Sequence, residues 1–151
     1  MTTLTAPTRS PAYLKQALYA GVLLTLVATL APLIDLATAD TIGEHVRSAY
    51  PGWSADDVAK DRMAITGYLV GVGVLGLAGW LWTIVAVARG KRGARAVGTT
   101  LFLVGATVQL LSLSVGGEAY TTIVPTLHGV IGFLPSLAGL VAVIGLWRKG
   151  R

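Results

Sequence analysis

Four stretches run for 22 to 26 residues with almost no charge: Ala17–Ala39, Met63–Ala88, Ala96–Gly117 and Ile123–Trp147. At about 1.5 Å rise per residue, each as a helix spans a hydrocarbon core about 30 Å thick. In such a core every backbone N–H and C=O needs an internal partner, so an uninterrupted helix is the natural solution. Core helices of a soluble domain would carry a charged stripe every third or fourth residue, and these segments have none. Only Asp35 and His128 place an Asp, Glu, Lys, Arg or His inside them. The composition agrees: 54% of the 151 residues are hydrophobic and 13% charged, against about 25% charged in soluble domains. The reading is an all-α bundle of four transmembrane helices, one four-span membrane domain over residues 1–151. The first span reads as a retained helix rather than a cleaved signal, with the residues before Pro11 as a polar tail.

The few charges are segregated. Arg9 and Lys15 precede the first span, Arg89, Lys91, Arg92 and Arg95 fill the connection 89–95, and Arg148, Lys149 and Arg151 follow the fourth span. Only Arg47, Lys60 and Arg62 fall on the other side, together with all seven acidic residues. By the positive-inside rule both termini are cytoplasmic, in a bacterial cytoplasmic membrane. The pI of about 9.9 therefore describes topology and attraction to anionic headgroups, and no nucleic-acid partner is expected.

The loop 40–62 is the one sizeable outer segment. Thr41 with Glu44, and Ser54 with Asp57, have the spacing of capping boxes, and Pro51-Gly52 separates them. This predicts a short outer helix with Ile42 and Val46 on one side. A long helix then starts near Ala55 and continues to Ala88. Tyr50 and Trp53 on one side, with Trp80, Trp82 and Trp147 on the other, read as interfacial anchors.

Small residues recur within the spans. Gly67-xxx-Gly71 is a close-contact pattern, and Gly129, Gly132, Ser136 and Gly139 form a seam in span four. Such seams let backbones approach within the bundle and also offer a homodimer contact. Pro32 and Pro135 each remove a helical hydrogen bond and predict a kink or local opening.

Ionisable residues inside a membrane are functional candidates because burying charge in lipid is costly. Asp35, Glu118 and His128 all fall toward the outer ends of their spans, with Arg62, Gln109 and Tyr120 beside them in a compact bundle. A carboxylate next to a histidine in a half-dry pocket can do acid–base work. Three functions follow as expectations. One is binding of a lipophilic small molecule or lipid in an outward-opening polar pocket. Another is an acid–base enzyme of the isomerase, cyclase or hydratase type, with Asp35, Glu118 and His128 catalytic. The third is an accessory subunit docked through its glycine seams. With no cysteine, two scattered histidines and no phosphate loop, G-x-S-x-G or H-E-x-x-H, no metal or other cofactor is expected.

In texture the chain resembles uncharacterised four-helix membrane proteins of high-GC bacteria. The segments that carry this are Tyr50-Pro51-Gly52-Trp53-Ser54 and Gly79-Trp80-Leu81-Trp82-Thr83 leading into Arg89-Gly90-Lys91-Arg92. In helix number and residue types it also resembles the emopamil-binding, sterol isomerase-like proteins, which use membrane-embedded acids and a histidine on lipophilic ligands. The first resemblance implies no activity; the second implies a site for an apolar ligand.

Because the chain lacks cysteine, single replacements report orientation cleanly. Asp56→Cys is expected to react with an impermeant maleimide added to intact cells, and Lys91→Cys only after the membrane is opened. The reverse pattern would invert the topology.

Overall fold

The structure, a computed structural model, describes residues 12–90 and 93–148. The tail before Pro11, Lys91 and Arg92 of the basic connection, and Lys149 and Arg151 lie outside the described residues. Five helices follow in order: α1 (Ala12–Ala37), α2 (Thr41–Ala49), α3 (Ala55–Ala88), α4 (Ala94–Ser114) and α5 (Thr126–Arg148). All except α2 are long and apolar enough to cross a membrane. Among the described residues the β-structure is one isolated bridge, Gly117 to Tyr120. This is the architecture of a multi-pass all-α membrane protein.

The helix ends follow local chemistry. Ser54 caps α3 as its spacing predicts: its Oγ accepts from the Asp57 amide at 3.2 Å and donates to the Asp57 carboxylate at 2.6 Å. From there α3 runs 34 residues to Ala88, about 50 Å, so its first turns stand clear of the apolar stretch. The expected capping box at Thr41 is not formed. Asp40 occupies the cap position in left-handed backbone (φ 51) without a side-chain cap bond, and Asp35 reaches over from α1 to take the orphan donors. Glu44 instead pairs with Arg47 at 3.3 Å. Helix α4 stops at Ser114, three residues short of the predicted Gly117, where the chain turns into a loop tied by Ile123 N–H to Val115 C=O at 3.0 Å. Helix α5 then starts at Thr126, after Pro125, whose carbonyl accepts from Gly129 at 3.0 Å. Both α1 and α5 continue unbroken through Pro32 and Pro135.

Helices α1 and α5 are the inner pair, and their apolar stretches are more buried within the protein than those of α3 and α4. Helix α1 packs on both α3 and α5, and α5 packs on α4, while α3 and α4 meet only sparsely. The spatial order is therefore α3–α1–α5–α4, closed incompletely between its two outer members.

The contacts run through small residues, because hydrocarbon supplies no hydrophobic drive for helices to associate and close approach must do so. On the α1–α3 seam, Gly21 accepts the Trp80 ring and Gly73 accepts Thr29 so tightly that a methyl group at either position would overlap its neighbour. On the α4–α5 seam, methyl groups on Gly129, Gly132 and Gly139 would come within 2.6 Å of Leu113, 2.7 Å of Gln109 and 2.8 Å of Phe102. The span-four seam is thus used inside the chain. At Gly67 and Gly71, in contrast, an added methyl group would find nothing within 4 Å among the described residues, so this close-contact pattern faces outward. Trp80 also departs from its expected role as an anchor: its ring lies over Gly21 and packs against the buried cluster that includes Leu14 and Leu18, while Trp82 and Trp147 stay exposed.

Two substitutions separate these glycines. Gly73→Leu is expected to destabilise the protein by about 1–3 kcal/mol through overpacking, and Gly67→Leu to leave it nearly unchanged. Thermal unfolding in detergent checks both, and equal effects would contradict the seam assignment.

Candidate functional site

The polar residues singled out from sequence occupy three settings. The first is a helix-to-helix tie. Asp35, buried near the end of α1, accepts from the Thr41 amide at 3.0 Å and the Thr41 hydroxyl at 2.7 Å through Oδ1, and from the Ile42 amide at 3.1 Å through Oδ2. Both carboxylate oxygens are thereby committed to the start of α2, where the helix dipole also favours a negative charge. The side-chain hydrogen bonds of Asp35 all serve the α1–α2 joint, and none goes to its expected partner His128.

The second setting is a polar cap over the α2 end of the bundle. Arg62 donates to Asp40 at 3.0 Å, and Arg47 donates to the other oxygen of Asp40 at 2.8 Å. Glu118 sits in left-handed backbone (φ 50) on the loop before α5 and accepts from the Tyr50 hydroxyl at 2.9 Å. The Tyr120 hydroxyl donates to the Asp61 carboxylate. Around these, Tyr50 stacks on Trp53 at 3.9 Å and meets Tyr120 edge-on at 5.2 Å. His45 stacks on Tyr120 and donates from Nε2 to the Thr122 carbonyl at 2.8 Å. Beneath lies an apolar knot of Ile42, Val46, Val58 and Ile65, so α2 presents the predicted apolar side to α3. Sequence reading did not anticipate His45 or Asp61 as members of this cap. Their partners come from loops remote in the chain, which no local pattern encodes.

The third setting is a cavity of about 290 Å³ between α3 and α4, with α1 and α5 as its floor. The two outer helices touch near both ends of it. At the α2 end Tyr68 and Ser112 share a hydrogen bond of 2.8 Å, and at the other end Leu101 packs on Gly79 and Thr83 on Gly98. Between these points the helices part. Leu75 and Val104, exposed on the outer surface at 74% and 57%, also line the cavity, so it opens sideways, at the depth of the apolar stretches. A second hollow, of about 340 Å³, lies above the Tyr68–Ser112 bond and is lined by Asp61, Ile65 and Val124 among others.

His128 and Gln109 belong to this third setting. His128 is 5% exposed and lines the cavity, and its Nδ1 is buried without a hydrogen-bond partner among the described residues. Gln109 packs its amide against Gly132 on the same wall. Among the described residues no Asp, Glu, Lys or Arg lines the cavity. The structure thus brings His128 and Gln109 together at one space, and sets Glu118, Arg62 and Tyr120 in the cap with Asp35 at the hinge between α1 and α2. Chemically, the cavity can take hydrogen-bonding and apolar groups but offers no carboxylate for proton transfer.

No family model, curated protein or solved structure matches the chain.

The cap carries a pH signature. Burial, reinforced by the Asp61 carboxylate, raises the Tyr120 hydroxyl well above its ordinary value near 10, and slight desolvation and Glu118 raise Tyr50. A group whose folded pKa lies above its unfolded one holds its proton better in the folded state. Its contribution is complete below the unfolded pKa and disappears as pH rises through the folded one. Thermal stability is therefore expected to fall as pH is raised above about 10, and Tyr120→Phe to flatten that fall. An unchanged slope in the variant would remove Tyr120 as its source.

Proposed function

We propose that this protein binds a lipophilic small molecule or lipid within the membrane, in the cavity between α3 and α4. The observation that carries this reading is the His128 ring: it is almost wholly buried, it faces a cavity without charged walls, and its Nδ1 has no partner among the described residues. An imidazole that lines a cavity and makes no hydrogen bond among the described residues is a polar group that a ligand entering the cavity can pair with, and leaving such a group unpaired costs about 1–3 kcal/mol. Largely apolar walls with a few convergent polar groups are the usual make-up of a small-molecule site, and the gap between α3 and α4 faces the bilayer. The pocket expected from sequence thereby keeps His128 and Gln109, while Asp35, Glu118, Arg62 and Tyr120 hold the lid of the bundle in place. Binding is favoured over acid–base catalysis because both oxygens of Asp35 are occupied.

The setting is the bacterial cytoplasmic membrane with both termini inside, supported by the segregation of charge along the chain. The span-four seam is filled by α4 within the chain, which leaves the Gly67–Gly71 face of α3 as the uncovered glycine pattern.

The test is photolabelling in nanodiscs with a diazirine-bearing alkyl probe, followed by peptide mapping. Label is expected to concentrate on cavity residues such as Gln109 and Ile131 over exposed ones such as Leu23 and Ile34. Gly105→Phe, whose side chain enters open space at the cavity's edge, is expected to cut cavity labelling several-fold. Labelling spread evenly over lipid-facing positions would refute the site.

A further inference from the structure

The cavity is more polar toward its α2 end. Near the α2 end it is lined by Tyr68, Gln109, Ser112 and His128, and toward the other by Leu101, Phe102, Val143 and Leu146. Several of its polar groups are already committed. Thr25 donates to the Gly21 carbonyl at 2.7 Å, Thr83 to the Gly79 carbonyl at 2.9 Å, and Ser112 bonds to Tyr68. His128 on α5 and Gln109 on α4 make no hydrogen bond among the described residues and lie toward the α2 end, while Ser136, two turns further along α5, and Trp80, nearer the opposite end, are likewise unbonded. Pro135 adds a third feature, since it supplies no N–H to the carbonyl four residues earlier at Ile131, and Ile131 also lines the space.

From this distribution we infer the class of ligand: a neutral amphiphile with one chain and an uncharged hydroxyl or carbonyl head, its head at His128 and Gln109 and its chain lying along the bundle toward Leu146. The inference rests on the binding function proposed above and narrows it. Three physical points support the assignment. A carboxylate or phosphate in this space would meet no Lys or Arg among the described residues, and an ammonium no Asp or Glu, so a charged head would be buried without a counter-ion. A plain hydrocarbon would offer no hydrogen bond to either the His128 imidazole or the Gln109 amide, the two polar groups that line this end of the cavity. A hydroxyl both donates and accepts, so it matches the imidazole in either tautomer and the amide of Gln109. The position of the polar end, within the first turn of α5 and about one and a half turns from the end of α4, puts the head just below the interface, where an amphiphile in the bilayer already carries its own.

The experiment uses the full chain in nanodiscs with three photoactivatable probes of equal chain length, ending in hydroxyl, carboxylate or methyl. The hydroxyl probe is expected to label cavity peptides of α4 and α5 at about tenfold lower concentration than the other two, the scale of one buried hydrogen bond. In His128→Leu its advantage over the methyl probe should disappear, with thermal unfolding confirming a folded variant; Gln109→Leu provides an independent second variant and should reduce the same ratio. Equal labelling by hydroxyl and methyl probes in the unmodified protein would overturn the head-group inference while leaving lipophile binding standing. Preferential labelling by the carboxylate would overturn it in favour of an anionic lipid. Absence of cavity label with all three would remove the underlying binding function as well.

Discussion

Close approach between backbones is the interaction on which this bundle depends. Inside hydrocarbon an apolar side chain gains little by turning from lipid to protein, so helices associate where small residues allow dense contact. Gly21 under Trp80, Gly73 under Thr29 and the Gly129–Gly132–Gly139 series under α4 supply that density. They do so on the α1–α3 and α4–α5 seams and not along the middle of α3–α4. The cavity is the complement of that pattern: it lies where α3 and α4 have no continuous seam to draw them together, and the Tyr68–Ser112 hydrogen bond and the Thr83–Gly98 contact hold only its ends.

The α2 end works by different physics. Here water is near, and α2, its loops and the raised start of α3 are held by ion pairs, stacked rings and the triple acceptance by Asp35. Asp35 is the joint between the two regimes. It terminates α1 at the apolar boundary and begins α2 above it, so the polar cap sits in a fixed relation to the helices that wall the cavity. The exposed pairs, such as Lys60 with Asp56 and Asp57, contribute little to this; exposed ion pairs are typically worth about 0–1 kcal/mol.

Much of the fold was legible because its signals are local. Segment length, absence of charge and the Ser54–Asp57 spacing are read within one turn or one span, and they placed α3 from Ala55 to Ala88. The Thr41–Glu44 pattern misled for an equally physical reason: a carboxylate six residues before Thr41 outcompeted the local cap once α1 and α2 were folded against each other. The same holds for Gly67-xxx-Gly71, whose spacing defines a contact surface without saying whether a partner exists. Of the candidate site residues, their common position at the outer ends of the spans was visible. Their division between cap and cavity was not, because residue position along a helix gives depth, while the face a side chain presents depends on the rotation of each helix against its neighbours.

The sequence by itself therefore determined class, span number and the separation of basic from acidic ends, since these follow from transfer energies that each segment carries alone. Only the tertiary structure decided that α3 and α4 stand apart, that Asp35 is bound to α2 and that His128 lines the cavity between α3 and α4. Those outcomes depend on which glycine meets which side chain across a seam, and that is a property of pairs of helices.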